Sequence, residues 1–294
     1  MKNVLKKIAL IMLAVSMTVP AASALGIPEA TVAEAASQNM TLYVGEKYDI
    51  TSANSVKSNK KNIVKTGTDK SSGYVQHYMI AKKAGKAVVT VKSKYGNTTT
   101  KYNVTVKKNP VKASLSMTGY KNPEVLITLK NSSSQIFETA TVKYTLKKSD
   151  GSVFEEKEVT VYNILGKKSA YKTISLSSSA DFDLSVSDVK VTGVYHNPNR
   201  KYVDASSKVK VSAEDTTAAK EVESSLTVKN SVGKSVSGNV YYLLKNSSDE
   251  IIGVTSYSQY LQKKATETNT HSIYVDMYPG YDHYDMVGVF YYTK

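Results

Sequence analysis

Few side chains in this chain are able to do chemistry, and their spacing limits what they could do. His77, His196, His271 and His283 stand far apart. None makes the His-x-x-x-His or His-x-His spacing that places two imidazoles on one metal, which excludes the common zinc-enzyme motifs. Asp282, His283 and Asp285, with Asp276 nearby, are the one clustered set of donors, and Asp181, Asp183 and Asp188 are a rough counterpart. A calcium loop needs alternating oxygen ligands around a glycine turn. No Asp-x-Asp-x-Asp-Gly loop occurs, so the expectation is a polar turn and no metal. Glu155 and Glu156 could serve as an acid/base pair only if they shared a face. Neighbours on a regular strand point to opposite faces. There is no Gly-x-Ser-x-Gly, P-loop or dinucleotide fingerprint. The chain has no Cys, which removes thiolate nucleophiles, thiolate metal ligands and disulfides. The expectation is a protein with no catalytic residues and no cofactor.

Binding chemistry remains. Lys and Arg number 39 against 25 Asp and Glu, for a net charge of +14. Arg200 is the sole arginine. Arginine is the residue that grips phosphates and base edges with two parallel hydrogen bonds, so specific nucleic-acid recognition is not expected. The charge is uneven: residues 37–110 carry a net +11, residues 111–213 a net +5, and residues 214–294 a net −3. A lysine-covered segment attracts polyanions through long-range attraction and counterion release. Lys60, Lys61, Lys82, Lys83 and Lys86 are the candidates for such a site. The competing reading is that these lysines solubilise sheet faces and guard edge strands. The 22 tyrosines crowd toward the end of the chain. Tyr278, Tyr281 and Tyr284, around the Pro279-Gly280 turn, are candidates for carbohydrate or protein contact, because aromatic faces stack on sugar rings and anchor interfaces. Strand alternation alone also accounts for most of these tyrosines.

The elements that must position these residues read as strands throughout. Ala87, Val89 and Val91 alternate with polar residues. A turn at Tyr95-Gly96-Asn97 follows, and then Tyr102, Val104 and Val106 alternate with Lys101, Asn103, Thr105 and Lys107. Alternation on either side of a Gly/Asn turn is the hairpin signature. Earlier strand candidates are Thr41–Val44, Tyr48–Thr51, Asn62–Lys65 and Gly73–Ala81, separated by polar turns. Before them, Lys2, Lys6 and Lys7 precede an apolar run, Ile8 to Val19, too short to span a bilayer comfortably. Small-x-small sites follow at Ala22–Ala24 and Ala33–Ala35. Residues 1–36 are expected to be a secretory leader, and no later run is long enough to span a membrane.

The order Leu42-Tyr-Val-Gly45, Lys57-Ser-Asn-Lys-Lys61, Ala81-Lys-Lys-Ala-Gly85, Val88–Val91 and Tyr102–Val106 resembles the bacterial immunoglobulin-like domain, group 2, over residues 37–108. The resemblance implies an Ig-like β-sandwich on a secreted or surface-displayed protein, acting as spacer or adhesive module. The chain departs from the pattern where Val56 replaces the usual Trp. It departs again over Thr66–Gln76, which is longer and more polar and implies an extra loop or longer hairpin.

Beyond Pro110 the chain repeats itself. Leu126–Ser132 (LITLKNS) echoes Ser225–Ser231 (SLTVKNS), and Val142–Lys147 echoes Val240–Lys245. Leu165–Lys168 echoes Leu261–Lys264, and Val191–Tyr195 echoes Met286–Phe290. Four matches in order argue for a duplicated domain. Each copy resembles the FxLYD-type envelope module, in which a Lys-Asn-Ser-like turn follows the first strand. The expected organisation is all-β: three tandem small sandwiches at 37–108, 111–213 and 214–294, each with its own core, strung like beads. Val211–Lys220 reads as the linker between the last two. The expected function is that of an exported bacterial binding, adhesive or spacer array. Its expected partners are an anionic cell-wall polymer, a polysaccharide or another surface protein.

Overall fold

A computed structural model describes residues 36–71, 73–96, 98–118, 123–176, 184–217 and 220–294. The expected leader, except Ala36, lies outside the described residues. The rest is an assembly of β-sandwiches.

The first sandwich holds β1 (Ala36–Tyr43), β2 (Lys47–Ile50), β3 (Ala53–Ser58), β4 (Val64–Asp69), β5 (Gln76–Ala81), β6 (Gly85–Ser93) and β7 (Thr99–Lys107). One sheet has the order β1-β7-β6-β3 and the other β2-β5-β4. β1 runs parallel to β7, from Ala36 opposite Thr100 to Tyr43 opposite Lys107. The hairpin of β6 and β7 puts Ala87, Val89, Val91, Val104 and Val106 inward, where all are buried with Leu42, Val64 and Met79. The polar stretch after Thr66 is the longer hairpin: β4 and β5 pair from Val64–Ala81 to Asp69–Gln76. β3 has no counterpart among the sequence candidates. Its residues ANSVKS include a single large apolar side chain, so no alternation marks it. It is held as an edge strand by β6.

The second sandwich holds β8 (Val111–Thr118), β9 (Glu124–Asn131), β10 (Phe137–Lys147), β11 (Val153–Ile164), β12 (Ser169–Ser175) and β13 (Ser185–Tyr195). The third holds β14 (Tyr202–Asp204), β15 (Val209–Thr217), β16 (Glu221–Asn230), β17 (Val236–Asn246), β18 (Ile251–Leu261), β19 (Thr266–Tyr274) and β20 (Tyr281–Thr293). The sheets β11-β10-β13 and β12-β9-β8 of the second recur as β18-β17-β20 and β19-β16-β15 in the third, with β14 added at one edge. The duplication read from sequence is therefore a duplication of topology. The Lys-Asn-Ser turn has the same task in both copies. Asn131 Nδ2 donates to the carbonyls of Gln135 (2.7 Å) and Leu165 (3.1 Å), and its Oδ1 accepts from Ser133 N. Asn230 Nδ2 donates to Lys234 O (2.9 Å) and Gln262 O (2.8 Å), and its Oδ1 accepts from Val232 N. A buried amide that satisfies two loops at once is a strong constraint on the backbone around it. These bonds place Leu165 opposite Gln262 and put the left-handed Lys167 opposite the left-handed Lys264. The sequence echo of Leu165 with Leu261 is thus one residue out of register.

Two expectations are corrected. The division between 213 and 214 falls inside β15, which pairs with β16 without a break from Val209–Asn230 to Thr217–Val222. Most of the expected linker is therefore strand, and the third sandwich begins near Tyr202. The first and third modules each keep a core of their own, but the second and third are not separate beads, because a further buried cluster is shared between them. The sheet β12-β9-β8 packs one face on β11-β10-β13 and the other on β14-β20-β17-β18. One buried cluster runs through both contacts, from Phe137, Val142 and Ile127 to Leu126, Tyr241, Leu243 and Val254. Central strands buried on both faces are the result: β9 buries Val125, Leu126 and Ile127 in succession, and β17 buries every residue from Gly238 to Leu244. Tyr278 Oη donates to the buried Glu124 at 2.8 Å, and Thr173 Oγ1 donates to Val254 O at 2.8 Å across this contact. The rings of Tyr171 and Tyr241 meet edge-on at 5.1 Å.

The first sandwich is joined to the second by a smaller but fully buried contact. Glu46, with no exposed surface, accepts from Tyr43 N (2.9 Å), His196 N (2.8 Å) and His196 Nδ1 (2.7 Å). Tyr43, Phe137 and His196 pack edge-to-face around it. Gly45 sits at φ +90°, and a Cβ there would lie 2.5 Å from Thr192 O. Only glycine lets the two backbones approach this closely.

Candidate functional site: a lysine face on the first sandwich

The lysine-rich stretches converge on one sheet and one end of the first sandwich. Residues opposite each other in a sheet share a face. On β6 and β7 the outward pairs are Lys86–Thr105, Val88–Asn103, Thr90–Lys101 and Lys92–Thr99. β3 adds Lys57 opposite Thr90, and β1 adds Ser37, Asn39 and Thr41 beside Lys101, Asn103 and Thr105. The outer face is therefore a field of Lys, Thr, Asn and Ser. Asn103 Nδ2 donates to Ser37 Oγ (3.0 Å) and Asn39 Oδ1 (3.2 Å), which fixes the middle of the field.

At one end the turns before β4 and before β6 are tied together. Ile63 N donates to Lys60 O at 3.0 Å, and Lys82 N donates to Ile63 O at 2.8 Å. This gathers Lys60, Lys61, Lys82 and Lys83, all exposed. Lys60 and Lys86 border a hollow of about 320 Å³ floored by Val88, Asn103 and Thr105. Asn59 Oδ1 holds its rim by accepting from Val88 N at 2.8 Å. At the other end of the hairpin Lys92 and Lys94 border a second hollow of about 520 Å³. Six residues of strand separate Lys86 from Lys92, a track of about 20 Å at the usual rise.

No carboxylate opposes this charge. Of the three acidic residues in 37–110, Glu46 is buried in the joint to the second sandwich, while Asp49 and Asp69 lie on the other sheet beside Lys47. Among the described residues, none of the lysines on the face has an ion-pair partner. Of the five lysines read from the sequence, Lys60 and Lys86 border the hollow, and Lys61, Lys82 and Lys83 are exposed in the adjoining turns. Lys57, Lys92 and Lys101 are additions; the alternation of the hairpin held the signal for the last two, while Lys57 depends on the unmarked β3.

The tyrosine candidates fare differently. Tyr278 is 7% exposed, and its hydroxyl is committed to Glu124. Burial and the adjacent carboxylate hold its phenol far above the ordinary range. It is a structural strut and not a contact residue. Tyr284 is half-buried and donates to Asp215, and Tyr281 packs on the third core. Asp282, His283 and Asp285 are taken up in ion pairs. Lys245 Nζ lies 2.9 Å from Asp249 and 2.6 Å from Asp285, and His283 bridges Asp282 and Asp249 at 2.9 and 3.3 Å. Hydrogen bonds to Asp249 and Asp285 raise the Lys245 ammonium above its ordinary value. Asp181 and Asp183 lie outside the described residues. Glu155 and Glu156 do face opposite ways: Glu155 accepts from the buried Tyr144 hydroxyl (2.7 Å), and Glu156 pairs with Lys143 on the outer face.

The described fold is all-β, built of Ig-like sandwiches. No family model matches the chain, and no curated protein does. Among solved structures, the chain is similar to red sea bream transglutaminase at 11% identity with a TM-score of 0.20, over 64% of this chain. It spans 33% of that protein's length. It is also similar to the FN1–FN3 domains of chicken CNTN1 (12% identity, TM-score 0.15, covering 83% of this chain and 98% of that one). The tandem CBM22-1–CBM22-2 domain of Paenibacillus barcinonensis Xyn10C aligns at 11% identity and a TM-score of 0.09, over 88% of this chain and 91% of that one. At these scores the likenesses carry no argument about activity or ligand. Among the described residues no helix is long and apolar enough to cross a membrane.

Proposed function

We propose that the protein is an exported, non-catalytic binding protein that holds an anionic polymer along the lysine face of its first sandwich. The polymer class is an acidic polysaccharide or a phosphate-linked wall polymer; both offer a chain of regularly spaced anions. The observation that carries the reading is a sheet face with several exposed lysines and no carboxylate, bounded by a lysine-rimmed hollow at each end. Lysines that served solubility alone would be interspersed with acidic residues, as they are on the outer face of β10 and β11. Export rests on the charged, apolar and small-residue order of residues 1–36, and the bacterial surface setting on the Ig-like resemblance of residues 37–108.

The test is binding of the full chain to polygalacturonate and to poly(glycerol phosphate). With about four lysines engaged, raising salt from about 50 to 200 mM should weaken binding about fifty-fold, by the counterion-release slope for a flexible polyanion. The variant K57Q/K86Q/K92Q/K101Q should abolish binding, and K143Q/K190Q on the second sandwich should not. Binding that ignores salt, or that survives the quadruple change, would refute the site. Hydrolysis of either polymer that disappears on changing one acidic residue would refute the non-catalytic reading.

A further inference from the structure

A second hollow of different chemistry opens between the two repeats. The edge strands β11 and β12 of the second sandwich, with the central strand β17 and the edge strand β18 of the third, enclose about 300 Å³. This is the lower end of the range of pockets that hold small ligands. Its wall from the second sandwich presents Tyr162, 58% exposed, with Asn163 and Tyr171. Its wall from the third presents Asn239, Ser256 and Ser258. Among the described residues no carboxylate lines it, and Lys172 at its border is its one charged residue.

The polar groups are held in place from behind. Asn239, 8% exposed, accepts at Oδ1 from Asn163 Nδ2 (3.1 Å) and Ser258 Oγ (3.1 Å), and its Nδ2 donates to Tyr241 Oη (3.0 Å). That leaves Asn239 one amide hydrogen, and among the described residues the Ser256 hydroxyl has no protein partner. Asn163 is in the left-handed region at φ +60°, which asparagine tolerates, and its side chain reaches across the gap to Asn239. The cleft thus combines a fixed array of amide and hydroxyl groups with an exposed aromatic face. A cyclic polyol matches both: its hydroxyls pair with the array, and its C–H face lies on a ring.

We propose that this cleft binds one neutral pyranose unit of a saccharide, stacked on Tyr162 and hydrogen-bonded to Asn239 and Ser256. The site is independent of the lysine face, and a neutral probe tests it alone. The probes are cellobiose and chitobiose, titrated into the full chain by calorimetry and by saturation-transfer NMR. The expected result is saturable, salt-independent binding of at least one probe in the millimolar range. Tyr162→Ala should weaken it about tenfold, the loss typical of one stacked contact, while Tyr162→Phe, which keeps the ring, should stay within about twofold of the parent. Tyr162 is exposed, so both variants fold. Absence of saturation by either probe at about 20 mM, far above the affinity claimed, overturns the proposal. So does binding that Tyr162→Ala leaves unchanged.

Discussion

Replacing Glu46 by alanine tests whether the first sandwich is welded to the second. The carboxylate is fully buried and accepts three hydrogen bonds, two from the main chain at Tyr43 and His196 and one from the His196 ring. Alanine strands all three donors. Each buried donor left without a partner costs about 1–3 kcal/mol. With three donors stranded the expected loss is at least about 3 kcal/mol, a large fraction of the roughly 5–15 kcal/mol that stabilises a typical domain. Were the joint a flexible tether, Glu46 would behave as a surface residue and its loss would stay within about 0.5 kcal/mol. The assay is urea unfolding followed by circular dichroism, with the midpoint and slope compared between variants. The pair Glu46→Ala and His196→Ala completes a double-mutant cycle, whose coupling should exceed about 1 kcal/mol. A cost below about 1 kcal/mol for Glu46→Ala, or a coupling near zero, would sink the welded joint.

Two further outcomes follow from the shared core and the buried tyrosines. Leu126, 3% exposed, faces β17 across the contact between repeats, whereas its counterpart Ser225 is half-buried on a face that no other sheet is seen to cover among the described residues. Leu126→Ala should cost about 2–4 kcal/mol and Ser225→Ala within about 0.5 kcal/mol, read from the same urea midpoints; equal small effects would mean the repeats do not share an interior. The phenols of Tyr144, Tyr278 and Tyr284 are raised by burial and by hydrogen bonds to Glu155, Glu124 and Asp215. A group whose folded pKa lies above its unfolded value, about 10 for tyrosine, stabilises the fold below that pH and loses the contribution as pH rises past it. Stability should hold through neutral pH and fall above about pH 10, with part of the tyrosinate absorbance developing only on unfolding. Native protein whose tyrosines all ionise near pH 10 would contradict this burial.

Much of the architecture was legible because alternation survives wherever one face of a strand is wet. β6 and β7 follow that pattern and were read directly. The duplicated order of motifs marked the repeat, since the Asn131 and Asn230 plugs require the same residues around them. What was not legible was the burial of second faces. β9 (EVLITLKN) and β17 (VSGNVYYLLKN) are nearly continuous apolar runs, the mark of a strand covered on both sides. Yet a run of that length is equally consistent with a strand at the centre of an isolated sandwich, so the stacking of repeats stayed hidden. The joint was hidden for a different reason. Glu46 and His196 are 150 residues apart, and neither lies in an apolar pattern. The lysine site was partly legible, since local charge and alternation are both written in the chain. The saccharide cleft was not, because its walls come from strands of different repeats.

The two described repeats also stack through a contact that their outer faces do not repeat. The contact joins non-equivalent faces, the sheet β12-β9-β8 of one copy against β14-β20-β17-β18 of the next. A head-to-tail contact of this kind, repeated, builds an open fibre. The free faces are chemically altered so that it does not repeat. Tyr241, Leu243, Val254 and Val287 make the contact on the third sandwich; at the matching positions the second carries Lys143, Thr145, Glu156 and Lys190. On the other side Leu126 and Tyr171 of the second sandwich correspond to Ser225 and Thr268 of the third. Glu124 and Glu223 are the same residue in both copies. One is buried beneath the Tyr278 hydroxyl and the other is exposed, so the partner decides whether that carboxylate is an anchor or a solvated charge. The same divergence places Asn239, Ser256 and Ser258 where the second sandwich has Thr141, Glu158 and Thr160. Substitutions that end the stack with charge on one sandwich thus leave a polar cleft free of carboxylates at the edge of the contact that forms.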